Sequence, residues 1–273
     1  MQTKLLTKTK VLTLDKKVLF ILLKNEEYSR FSILNSTMQS YIISGIKYPY
    51  VEIEQKGEDI RKQIKPFLKQ ADLIVVLFAN TPLISGKTIE NIVEYASIKE
   101  VKACKLPCGF VFDSKYLKKN KVVSFDAIYS QNENEFLEVT NEETYKLATK
   151  ILQDRIINYH IKNGVKFENE QGAIVEPTVD IERGVIVSSN VYLRGNTYVG
   201  ENASIKENST IKDCTIGKNV SISNSQILNS KIGDNSIIMP YSYISNSQIG
   251  KDVLIKSNKR IENEVVLDNK TIE

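Results

Sequence analysis

The chain has 273 residues, of which 41% are hydrophobic and 26% charged, with a net charge of +4. That balance fits a soluble globular protein long enough for two cores and excludes a low-complexity or disordered chain. Much of the positive charge lies in Met1–Lys24 and Lys115–Lys121. It is not interleaved with aromatics as a nucleic-acid stripe would be, so a solvated basic surface is expected and no nucleic-acid partner.

The first residues, MQTKLLTKTKVLTLDKK, lack the apolar run of a signal peptide. The longest apolar runs, Val18–Leu23 and Leu73–Ala79, are too short to cross a bilayer, so no membrane partner is expected. Cys104 and Cys108 have a spacing that could serve a metal, but the chain has one histidine and a single further cysteine, Cys214. Ordinary reduced thiols in a cytoplasmic protein are expected.

In chain order, Val18–Leu23 reads as a buried strand and Ser36–Ile46 as a helix capped by Ser36. Val51–Glu54 reads as a second strand, and Glu58–Gln70 as a helix with Ile60, Ile64, Phe67 and Leu68 on one face. Leu73–Ala79 is the continuous apolar run of a strand covered on both faces, entering a helix over Thr88–Glu100 through Asn80-Thr81-Pro82. Phe110–Phe112 and Val122–Phe125 supply further strands. This alternation predicts a small doubly wound α/β domain over residues 1–140. Asn141–Gly164 keeps helical spacing and ends on Asn163-Gly164, a connector arm.

From Val165 the corners fill with Asn, Ser and Gly. An aliphatic ladder runs from Val175 through Ile181, Val187 and Leu193 to Ile255, Ile261 and Leu267, with steps of five or six residues. Small or aliphatic residues such as Val179, Val185, Ala203 and Val220 sit four places after a rung. A period near six belongs neither to an α-helix nor to an alternating strand, but to a parallel β-helix of hexapeptide repeats. Residues 165–273 are therefore expected to form a left-handed β-helix of between five and six coils, about 27 Å long at ~4.8 Å per coil. Its flat faces make a homotrimer the expected assembly.

An α/β domain, a helical arm and a hexapeptide prism in that order resemble the bacterial bifunctional enzyme family that makes UDP-N-acetylglucosamine, joining a uridylyltransferase to an acetyltransferase. ADLIVVLFANTPL at Ala71–Leu83 is similar to the family's strand ending in G-D-x-P-L, and CGFVFD at Cys108–Asp113 to its N-x-G-I-Y-x-F-D strand. Val139-Thr-Asn141 resembles its V-N-N, and Pro240-Tyr-Ser-Tyr-Ile244 its P-Y-A-x-L-R-P turn. The resemblance implies a shortened nucleotidyltransferase-like domain that would bind a sugar nucleotide near Asn80, Thr81 and Gly109. If active it would need Mg²⁺, with Asn80 and Asn141 at the places of the family's two metal ligands.

The family's catalytic parts are largely replaced. Its glycine-rich phosphate loop falls on Leu22–Phe31, which has no glycine and carries Glu26-Glu27. The metal-binding aspartate is the neutral Asn80. The arginine of the proline–tyrosine turn corresponds to Ser245, and no histidine follows His160, which is expected to be a satisfied histidine of the arm. The expectation is a degenerate homologue, catalytically weak or inactive, acting as an oligomeric sugar-nucleotide-binding or scaffold protein. The alternative is a residual Mg²⁺-dependent uridylyltransferase that uses Asn80, Asn141 and basic groups such as Lys24 or Arg30. An acyltransferase at the prism surface is a third, for which no general base is found.

Overall fold

The computed structural model describes residues 16–24, 46–56, 59–129 and 135–273. The expected helix at Ser36–Ile46 lies outside them except for Ile46, as do Glu26-Glu27 and Arg30. Among the described residues the chain divides into two units, one ending at Thr140 and the other comprising Asn141–Glu273.

Among the described residues the first unit holds a six-stranded sheet in the order β2-β1-β3-β5-β4-β6, with ranges as follows. β1 (Val18–Lys24) lies parallel between β2 (Tyr50–Glu54) and β3 (Leu73–Phe78). The continuous apolar runs of β1 and β3 are explained by burial: Phe20, Ile21, Ile74, Val75 and Val76 are all 0% exposed. Leu19, Ile21, Leu23, Ile74 and Val76 join one core cluster with Ile64, Leu68 and Leu117, supplied by the helical segments on that face.

The rest of the sheet departs from a wholly parallel winding. β4 (Ala103–Leu106), which carries no alternation and was not predicted, forms a hairpin with β5 (Gly109–Asp113), and β5 runs antiparallel to β3. Val122–Phe125 is irregular, and the edge strand is β6 (Ala127–Ile128), parallel to β4. The predicted long helix at Glu58–Gln70 is also shorter. α1 (Ile60–Ile64) gives way to a 3₁₀ turn at Lys65–Phe67, because Pro66 has no N–H to continue the ladder. α2 (Gly86–Ile98) starts two residues earlier than predicted, capped by Ser85. α3 (Ser114–Lys119) follows β5, with Asp113 accepting from the Tyr116 N–H at 2.7 Å.

The second unit begins with α4 (Glu142–Lys162), entered through a capping box between Asn141 and Thr144. Three parallel sheets of seven, six and six short strands follow, from β7 (Lys166–Phe167) to β25 (Thr271–Ile272). The prism therefore has six complete coils and one further strand, slightly more than the ladder implied, because Lys166–Phe167 and Thr271–Ile272 also pair. The rungs stack in register, for example Ile211 on Ile227 and Ile227 on Ile244, all 0% exposed. The final rung is corrected: Val266 is inward at 8% exposure, whereas Leu267 is 67% exposed. One more five-residue step, Ile261 to Val266, moves the inward position back by one.

The Asn-rich corners have a conformational cause. Corner residues such as Asn202, Asn219, Asn235 and Asn258 have φ between 55° and 62°, a left-handed conformation that asparagine tolerates better than most residues. Neighbouring corners are tied side chain to side chain, Asn219 Nδ2 donating to Asn235 Oδ1 at 3.0 Å and Asn235 Nδ2 to Asp252 Oδ1 at 3.1 Å. A small residue three or four places after a rung is buried at many coils, and it is serine at Ser225, Ser230, Ser236, Ser242 and Ser247. Ser230 Oγ donates to the Leu228 carbonyl at 2.7 Å and accepts from the Ser247 N–H at 3.0 Å. Ser225, Ser236 and Ser247 link neighbouring coils in the same way, whereas the buried Ser209 hydroxyl has no partner among the described residues.

Candidate functional site

In an open α/β sheet, ligands bind beyond the carboxyl ends of the parallel strands, where the winding direction reverses. Here that point lies between β1 and β3, since β2 lies on one side of β1 and β3 on the other. The end of β3 is held to β1 by Ala79 N–H donating to the Leu23 carbonyl at 2.8 Å. Asn80 and Thr81 come next in the chain. The sequence-derived residues Asn80, Thr81 and Gly109 thus gather at one end of β3, because the hairpin turn also docks there through Phe78 N–H and the Cys108 carbonyl at 2.8 Å.

Their side chains have different parts to play. Thr81 is buried, and its hydroxyl donates to the Phe78 carbonyl at 2.7 Å, so it closes the turn. Asn80 accepts through its backbone carbonyl from Val139 N–H at 2.7 Å, while its carboxamide has no hydrogen-bond partner among the described residues. Gly109 is needed for sheet packing: its φ is +152°, and a Cβ would lie 1.9 Å from the Val76 carbonyl oxygen. Asn141 belongs to the second unit, where its side chain accepts from Thr144 N–H at 2.9 Å as the cap of α4. Its carboxamide oxygen is engaged in helix capping.

Sequence reasoning missed two residues at this edge. Ser85 caps α2, and its N–H donates to Glu135 at 3.1 Å while its hydroxyl lies 3.1 Å from both carboxylate oxygens. A helix N-terminus attracts anions through its unpaired N–H groups and dipole. At α2 the protein's own carboxylate fills that place. Glu135 is distant in sequence from Ser85, and no local pattern announces the contact. Burial, reinforced by the charges of Glu135 and Glu138, pushes the nearby Cys108 thiol up to about 12.

Cys104, Cys108 and Cys214 are free and buried, and burial raises Cys214 to about 11. Among the described residues no group of three His, Cys, Asp or Glu side chains could hold a metal. His160 lies buried on α4 at 2% exposure, with its pKa lowered by burial against the opposing pull of Asp180. The expectation of a satisfied histidine is corrected in one respect: Nδ1 is buried with no hydrogen-bond partner. Nor does any helix among the described residues have the length and apolarity to cross a membrane.

Residues 170–273 match the family model of the GMPPB C-terminal domain. That match falls on the prism and leaves the α/β unit unassigned. No curated protein matches the chain. Among solved structures it is similar to a mutant of perosamine N-acetyltransferase from Caulobacter crescentus in complex with CoA and GDP-perosamine. The identity is 10%, with 92% of this chain and 91% of that one covered and a TM-score of 0.37. The acetyltransferase domain of PglB from Neisseria gonorrhoeae is similar at 12% identity, with 88% and 90% covered and a TM-score of 0.35. A hexapeptide transferase family protein from Anaplasma phagocytophilum reaches 20% identity over 37% of this chain and 76% of its own, with a TM-score of 0.26. Likenesses this distant say nothing of substrate or reaction.

Proposed function

We propose that this chain is an oligomeric scaffold, a homotrimer built through its β-helix, that retains a reduced sugar-nucleotide site at the β1–β3 switch point and turns over weakly or not at all. The observation that carries this reading is the Glu135 carboxylate bound to Ser85 at the start of α2. That carboxylate closes the positive end of α2 to another anion, and nucleotidyl transfer needs charge neutralisation that the uncharged Asn80 does not supply. The match of the prism to the GMPPB C-terminal domain supports the sugar-nucleotide side of the proposal. UDP-N-acetylglucosamine is the first ligand to try, on the motif resemblance at Ala71–Leu83. The unpartnered carboxamide of Asn80 favours a second reading, a residual Mg²⁺-dependent uridylyltransferase in which that oxygen reaches the cation.

Isothermal titration with UDP-N-acetylglucosamine and with UTP, each with and without Mg²⁺, separates these readings. Weak binding of the sugar nucleotide, strengthened in Glu135→Gln, is the expected result. Uridylyl transfer to N-acetylglucosamine-1-phosphate at ordinary enzyme rates would replace the scaffold reading by the second. A monomer in light scattering at micromolar concentration would remove the oligomer.

A further inference from the structure

The α/β unit holds a second concave feature that is unrelated to the residues of the switch point. A groove of about 520 Å³ lies between α1 with its following turn and α3 with its following loop. Among the described residues, four cations between Arg61 and Lys69 and three between Lys118 and Lys121 line it, against one carboxylate, Asp59. In the sequence these are two separate, ordinary-looking basic stretches. The structure brings them together because Ile64, Leu68 and Leu117 share one core cluster beneath them. The two walls are joined further by Arg61 Nη1 donating to the Lys121 carbonyl.

We propose that this groove binds a compact, multiply phosphorylated anion through its phosphates. Like charges so close together repel, and a cleft focuses their field, so an anion of matching charge density is the natural counterpart. Asp59 does little to neutralise them: its oxygen is 4.0 Å from Lys62 and it also caps α1. Among the described residues Lys65, Lys69, Lys118, Lys119 and Lys121 form no ion pair. Lysine ammonium groups act as mobile point charges and suit phosphate oxygens approached from several sides. Among the described residues the lining holds no aromatic side chain on which a base could stack, which sets this groove apart from sites for single-stranded nucleic acid. Linked phosphates place several charges in a small volume, whereas an acidic peptide spreads one charge per residue.

The test uses the full chain with sodium tripolyphosphate as probe, followed by titration calorimetry and by the rise in melting temperature. Binding is expected to weaken steadily as salt is raised, because the lysines are exposed and screening acts over about 10 Å at 0.1 M. The variant Lys65→Gln/Lys118→Gln/Lys119→Gln, all at exposed positions, is expected to lose affinity by about tenfold or more, and its unliganded melting temperature shows whether it folds. The control Lys212→Gln, on the prism, should bind unchanged. UTP should bind no more tightly than tripolyphosphate if the phosphates alone are read. A much tighter UTP complex that the triple variant loses would assign the groove to a nucleotide, and tighter binding of single-stranded RNA that the variant loses would assign it to nucleic acid. Either result overturns the proposal, as does undiminished binding by a folded triple variant or no binding at low salt. Because none of these substitutions touches Asn80, Ser85 or Glu135, failure here is distinguishable from failure of the sugar-nucleotide site.

Discussion

Replacing Ile227 by alanine tests whether the inward ladder is what holds the prism together. Ile227 is 0% exposed and stacked in register between Ile211 and Ile244, themselves 0% exposed. The substitution deletes three buried carbons, about 2.4 kcal/mol at ~0.8 kcal/mol for each. The closed stack above and below cannot collapse far, so a cavity term raises the total to about 3–4 kcal/mol. Ile237 is the internal comparison: it is also a strand isoleucine but faces outward at 47% exposure. Ile237→Ala removes the same atoms from a half-solvated place and should cost about 1 kcal/mol. Equilibrium urea unfolding followed by circular dichroism measures both. Because each coil meets only its neighbours, the loss is local in origin even though the transition reads it globally. If Ile227→Ala costs no more than Ile237→Ala, the stacked column is not the source of stability and the account of the prism is wrong.

Tyr241 stands at a corner with φ of 65° and is 67% exposed, where the other left-handed non-glycine corners of the prism are Asn or Asp. Tyr241→Asn should therefore stabilise the protein by about 1 kcal/mol, read as a higher urea midpoint; a lower midpoint would mean that the tyrosine makes a contact worth more than its strain. For His160, burial lowers the folded-state pKa below 6.5. The unfolded chain then takes up the proton first as pH falls, so stability present above about 6.5 is lost below it. The slope of melting temperature between about pH 8 and pH 5 should flatten in His160→Phe, and an unchanged slope would place the titrating group elsewhere. Native protein at pH 8 should resist iodoacetamide at all three cysteines, since the buried Cys108 and Cys214 thiols are raised to about 12 and about 11 and Cys104 is raised as well. Rapid labelling of Cys108 without unfolding would contradict its burial.

What the sequence determined by itself is the part of the protein whose information is local. A rung recurs within five or six residues, and a corner needs a residue that accepts positive φ. Ile205, Ile222 and Ile238 therefore announce a prism before any coordinate is known, as do Asn202, Asn219 and Asn235. The buried runs of β1 and β3 were legible for the same reason, and so was the end of the arm at Asn163-Gly164. Only the tertiary structure decided the rest. β5 runs antiparallel because its hairpin with β4 places Gly109 against Leu77, a pairing of residues far apart in sequence. Val266 replaces Leu267 as the rung after Ile261 because inward direction depends on stacking over Ile249, and two adjacent aliphatic residues leave that choice open in the sequence. The start of α2 is closed by Glu135, and two unremarkable lysine stretches become one groove over Leu68 and Leu117. Charge and packing act through space, so residues fifty positions apart meet only after the chain has folded.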